Sequence, residues 1–132
     1  MYSLHILLIE DDSDSGDAMS MLLRSQGHRV DWAATGTEAI DLYRSANGDR
    51  FDLIMLDLML PHVDGASLVQ RLRTVAALPP VVVHTAASTS RAQAAARDIG
   101  AFAVLRKPTD WQGMREVLDR CGAIAHAAGA GN

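Results

Sequence analysis

The chain has 132 residues, 48% of them hydrophobic and 21% charged, with a formal charge of −4 and one cysteine. That length and balance suit a single globular domain with one core. An acidic chain without a Lys/Arg cluster argues against nucleic acid as the direct partner, and one cysteine excludes both an internal disulfide and a cysteine-rich metal site.

No run approaches the roughly 18 apolar residues a membrane helix needs, and "MYSLHILLIEDD" lacks the basic region and cleavage site of a signal peptide. A cytoplasmic, non-membrane protein is expected, with Cys121 as a half-buried packing residue.

In chain order, an apolar run over residues 4–9 predicts a first strand, followed by Glu10, Asp11 and Asp12. Ala18, Met19, Leu22 and Leu23 have helical spacing, and Gly27 ends that helix. A second strand over 28–33 leads to Thr35, a capping residue ahead of a helix carrying Ala39, Ile40 and Tyr43. The third strand, 51–57, contains "FDLIML"; after it Asp64 is placed to N-cap a helix with Leu68, Val69 and Leu72. Pro79 and Pro80 introduce a fourth strand over 80–84, then come a helix over 88–99, a strand over 102–106 and a helix over 110–121. The Ala/Gly-rich stretch "AIAHAAGAGN" is expected to be a frayed end or the start of a linker, so residues 1–121 form the domain and 122–132 a tail.

Five strands alternating with five helices imply the α/β class, a parallel sheet covered on both faces by its crossover helices. The strands read as unbroken apolar runs, as burial on both faces demands. In such a sheet, ligands bind beyond the carboxyl ends of the strands. Those ends carry Glu10, Asp11 and Asp12 after the first strand, Asp57 at the third, Thr85 after the fourth and Lys107-Pro108 after the fifth.

Asp57 interrupts "LIMLDLML", where burying a carboxylate costs several kcal/mol, of order, unless something pairs with it. Carboxylates crowded at one edge repel one another unless a cation sits among them, and hard oxygen donors suit Mg²⁺. A lysine and a hydroxyl beside them complete a set that can hold a phosphoryl group, with Asp57 as the nucleophile. Taken singly, each residue also has an ordinary role: an acidic residue as a cap, a threonine in a turn, a lysine in solvent. The case rests on four strand ends matching at once.

Over residues 4–121 the chain resembles the receiver domain of two-component response regulators. "LLIEDD" is similar to that family's acidic motif, "DLMLPHVDG" to its phosphoacceptor motif, "HTA" to its threonine motif and "RKP" to its lysine motif. The resemblance implies a flavodoxin-like, doubly wound five-stranded parallel sheet with five helices. It implies Mg²⁺ held by Glu10 through water, by Asp11 and Asp57 directly and by the backbone carbonyl of Met59. Asp57 is then the phosphoacceptor, Thr85 the hydroxyl that moves to the phosphoryl group and Lys107 its cationic partner. Asp12 becomes a helix cap, and the Lys107–Pro108 bond is expected to be cis. The implied partners are a histidine kinase or histidine phosphotransfer protein, a downstream effector protein or domain, and a possible second copy in a homodimer.

Three residues before the lysine, where the family often carries Tyr or Phe as a switch, this chain has Val104; Phe102 lies on the same strand face by alternation. That departure motivates an alternative, a receiver-like docking or dimerisation module that signals without phosphorylation. A dehalogenase-type phosphatase would also use an aspartyl nucleophile, but it wants a second aspartate two residues on, where this chain has Met59. His62 and His84 could border the site, and neither has the partners a metal-binding histidine needs.

Overall fold

The computed structural model describes residues 2–46, 51–61 and 63–130. His62 therefore lies outside the described residues. Five strands, β1 (His5–Ile9), β2 (Arg29–Ala33), β3 (Leu53–Leu56), β4 (Val81–Thr85) and β5 (Ala103–Arg106), alternate with α1 (Ser13–Ser25), α2 (Gly36–Arg44), α3 (Gly65–Val75), α4 (Thr89–Ile99) and α5 (Trp111–Ala130). All strand pairs are parallel, in the order β2-β1-β3-β4-β5.

That order fixes which helix covers which face, because a parallel crossover is right-handed. The step from β1 to β2 runs one way along the sheet and puts α1 on one face. Every later step runs the other way and puts α2, α3 and α4 on the opposite face. Alternate strand residues follow suit. Leu7, Ile9, Ile54, Leu56, Val81 and Val83 pack with α2, α3 and α4. Ile6, Leu8, Leu53, Met55 and Val82 pack with α1 and α5. The direction of travel reverses between β1 and β3, so the loops after these two strands diverge to opposite faces and leave a crevice between them.

Side-chain caps set the helix starts: Asp12 accepts from the Ser15 N–H at 2.8 Å, Thr35 from Glu38 at 3.1 Å, and Asp64 from Ser67 at 3.2 Å. Gly27 at φ 92° and Gly100 at φ 74° supply the left-handed turns after α1 and α4. The sequence reading differs from the structure at several points. Only the central strands β1, β3 and β4 are buried throughout; the edge strands β2 and β5 are half-buried, because each lacks a neighbour on one side.

Cys121 is fully buried rather than half-buried, and burial pushes its thiol up to about 11. The last helix does not stop at 121. It continues through the Ala-rich stretch to Ala130, as alanine's helix propensity favours, and the Tyr2 ring lies against Gly122 and 5.9 Å from His126. Phe102 does not share a face with Val104. β5 begins only at Ala103, so alternation does not reach Phe102, which packs towards α5 beneath the Arg120 guanidinium while Val104 packs towards α4.

Candidate functional site

The sheet ladder extends one residue past three strands and so fixes the site from below. The N–H of Glu10 donates to the Ala33 carbonyl at 3.0 Å, that of Asp57 to Ile9 at 3.1 Å, and that of Lys107 to Thr85 at 2.9 Å. Asp57 therefore stands just beyond β3, while Thr85 is the last residue of β4 rather than the first after it.

The structure brings Glu10, Asp57 and Lys107 into direct contact. The Lys107 ammonium donates to Glu10 Oε2 at 2.9 Å and to Asp57 Oδ2 at 3.0 Å. The other Asp57 oxygen accepts from the Met59 N–H at 3.0 Å. Glu10 is 4% exposed and Asp57 6%, whereas Asp11 is exposed. Oxygens of Glu10, Asp11 and Asp57 lie within 4.8 Å of one another, a group that could hold a metal ion.

Electrostatics divides the two buried carboxylates. Burial pushes Glu10 up to about 7, with Asp57 adding to the rise and Lys107 opposing it. Asp57 faces the same burial, but the Met59 N–H, Glu10 and Lys107 outweigh it and hold its carboxyl below the usual range. Burial works against the charge on Lys107 too, yet its two acidic partners raise it overall. At neutral pH Asp57 is the ionised member and Glu10 is poised between its two forms. One ammonium against three carboxylates leaves an excess of negative charge, and all the free donors are hard oxygens. This set fits a divalent cation such as Mg²⁺.

Thr85 is fully buried, and its hydroxyl accepts from the Ala87 N–H at 3.2 Å. It stands at the adjoining strand end without a hydrogen bond to the acidic group. The Met59 side chain is 51% exposed and Ala87 is 4% exposed. Asp12 caps α1 and the Lys107–Pro108 bond is cis. His84, on β4, is buried with its Nε2 3.1 Å from the Thr109 hydroxyl. Burial, then Lys107, push its imidazole down to about 4 against the pull of Asp57, so it is neutral. With Glu10, Ser15, Leu22 and Lys107 it lines an open cleft of about 350 Å³ beside the acidic group.

The sequence reading missed Trp32. Its indole N–H donates to the Glu10 carbonyl at 2.8 Å, from β2, a strand to which no site residue had been assigned. One signal was available, because Gly16 inside a helix is costly and asks what occupies the space its side chain would fill.

Comparison with known proteins adds a second line of argument. The family model described as the response regulator receiver domain matches residues 6–119. The alkaline phosphatase synthesis transcriptional regulatory protein SphR of Synechococcus elongatus is 34% identical over 125 residues, spanning 90% of this chain and 48% of that protein. The response regulator RppA of Synechocystis is 35% identical over 121 residues, 92% of this chain and 50% of that protein. Among solved structures, the non-phosphorylated HemR receiver domain of Leptospira biflexa is similar at TM-score 0.76 and 31% identity, covering 90% of this chain and 94% of that one. The chain thus spans about half the length of the curated relatives it matches.

Proposed function

Because the chain belongs to the response regulator receiver domain family, we propose that it accepts a phosphoryl group on Asp57 from the phosphohistidine of a histidine kinase or histidine phosphotransfer protein. The observation that carries this reading is the Lys107 ammonium bridging Glu10 and Asp57 where three strand ends meet. Asp11 and Asp57 would hold Mg²⁺ directly, Glu10 through water and Met59 through its backbone carbonyl. The ion, when bound, offsets the charge of the carboxylates and of the incoming phosphoryl oxygens.

The protein's own residues then do the following. Asp57, kept ionised by the Met59 N–H and by Lys107, attacks phosphorus with a carboxylate oxygen. A P–O bond forms as the P–N bond of the donor breaks, and the electron pair leaves on the imidazole nitrogen. Lys107 pairs with the transferred oxygens. The Thr85 hydroxyl turns from the Ala87 N–H to donate to the phosphoryl group, which draws the loop after β4 inward and shifts the population of conformations at α4 and β5.

The domain catalyses its own modification and slow dephosphorylation, and nothing further. We assign residues 1–121 to the receiver domain and 122–132 to an Ala/Gly-rich tail, through which α5 runs as far as Ala130. The output runs through a downstream effector protein or domain, with a possible homodimer, in the cytoplasm. Among the described residues no helix is long and apolar enough to cross a membrane.

Acetyl phosphate or beryllofluoride with Mg²⁺ should modify the protein, as read by mass or NMR, and Asp57→Asn should abolish the response. An unresponsive wild-type protein would favour the docking module instead. The intact group of Glu10, Asp11, Asp57 and Lys107 speaks against that module, because a pure docking surface has no use for buried charges at a strand edge.

A further inference from the structure

We infer that Trp32 is a positioning residue for the metal-holding acidic pair, clamping the Glu10–Asp11 peptide so that the Asp11 carboxylate starts from a fixed place. The inference rests on the reading of Glu10, Asp11 and Asp57 as the Mg²⁺ group. β1 ends at Ile9, so nothing in the regular ladder fixes the carbonyl of Glu10. The indole does so: its N–H donates to that carbonyl at 2.8 Å, while the Glu10 N–H donates to Ala33 at 3.0 Å. Both backbone groups of Glu10 are thus anchored on β2. The next residue, Asp11, is exposed, and among the described residues nothing donates a hydrogen bond to its carboxylate. Its aim therefore depends on the backbone that carries it.

The fold makes room for this clamp at a cost. Gly16 sits in the first turns of α1, where glycine weakens a helix. A Cβ there would stand 2.1 Å from Trp32 Cζ2 and 2.2 Å from Cε2, so the helix omits a side chain where the indole ring lies. One turn on, at the same face of α1, is Ser20, buried and without a hydrogen-bond partner for its hydroxyl among the described residues. The indole is seated flush against α1 with its single donor on the residue before the exposed ligand.

The test is calorimetric Mg²⁺ titration of the full chain, Trp32→Phe and Gly16→Ala, with emission from Trp32 alone recorded in a Trp111→Phe background. Trp32→Phe keeps most of the ring and deletes the N–H; Gly16→Ala keeps the N–H and displaces the ring. Each should weaken Mg²⁺ binding roughly tenfold, the lower end for outer-shell partners, with every carboxylate intact. Trp32 emission should change saturably with the calorimetric midpoint. Unchanged affinity in both variants would overturn the inference and leave Trp32 as packing, and so would emission that stays silent as Mg²⁺ binds. If Trp32→Phe does not fold, Gly16→Ala and the emission signal decide the matter. A wild-type chain that binds no Mg²⁺ overturns the metal reading and this inference together; wild-type binding with unaffected variants overturns the inference alone.

Discussion

Glu10→Gln should make the metal-free protein gain stability relative to wild type as pH rises. Glu10 is nearly sealed from water, and burial is the main reason its carboxyl rises from 4.5 to about 7. A group whose folded pKa lies above its unfolded one stabilises fully below the unfolded value and loses that contribution as pH climbs through the folded value. The window is therefore pH 4.5 to about 7. At about 1.4 kcal/mol for each pH unit of that window, the loss is about 3 kcal/mol. Glutamine, a neutral stand-in for the protonated acid, has no such loss. Wild type alone would conceal the effect, because buried neutral His84, held at about 4, contributes stability that increases from that value up to 6.5. The difference between Glu10→Gln and wild type removes the histidine. Urea unfolding in EDTA from pH 4.5 to 8.5 should show that difference growing by about 3 kcal/mol in favour of the variant, and Mg²⁺ should erase most of it. A difference independent of pH, or one that grows against the variant, would mean that the Lys107–Glu10 ion pair outweighs desolvation and that the reasoning is wrong.

His84→Leu should flatten the acid limb: in wild type the stability of neutral His84 is present above 6.5 and lost as pH falls toward about 4, a loss of about 2 kcal/mol between pH 7 and pH 5, at about 1.4 kcal/mol for each pH unit below 6.5, read from urea midpoints at those two values; equal slopes would refute it. Gly100→Ala, at φ 74°, should cost about 1 kcal/mol in thermal unfolding, and no loss would show that the turn relaxes. The phosphorylated protein should persist well beyond seconds, because Met59 and Ala87 offer no side-chain polar group to orient water; a lifetime of seconds, or one unchanged when both become polar, counts against this. Arg106→Ala should leave Asp57 phosphorylation intact while damping amide shift changes across Thr89–Ile99 on beryllofluoride binding, since Arg106 donates to the Thr89 hydroxyl. An undiminished response of α4 would dismiss that tie as a carrier.

The alternation of apolar runs and helical spacings located all ten elements, because burial on both faces of a parallel sheet writes itself into continuous Leu/Ile/Val segments. Caps were legible for the same reason that they work: Asp12, Thr35 and Asp64 act on N–H groups three residues on, a local interaction. What failed was long-range or terminal. The end of α5 was set too early, because Ala/Gly composition reads as a linker while Tyr2, over a hundred positions away in sequence, supplies packing against Gly122. Phe102 was given the wrong face, because alternation holds only inside a strand and β5 starts one residue later. At the site, the strand ends identified the polar residues. That Lys107 bridges two carboxylates, and that Trp32 reaches Glu10, depend on strand order and on a cross-strand donor that no local pattern encodes.

Val104 changes how a signal can leave the site. Paired with Val83 and half-buried against the α4 side of the core, it is β-branched and stiff at χ1, with no ring to swing between solvent and interior. Thr85, by contrast, is wired to α4 through the backbone. Its hydroxyl holds the Ala87 N–H, Ser88 caps the helix by accepting from Arg91 at 3.4 Å, and Thr89, the first helical residue, is bound by Arg106 at the end of β5. If Thr85 exchanges Ala87 for a phosphoryl oxygen, as proposed, the loop loses the bond that sets its shape, two residues before a helix whose start is tied to the neighbouring strand. On that route the loop and cap would move whatever residue occupies position 104. An aromatic switch would report that movement on the surface; with Val104 in its place, the proposed mechanism leaves the displacement of α4 itself as the signal for a partner to read.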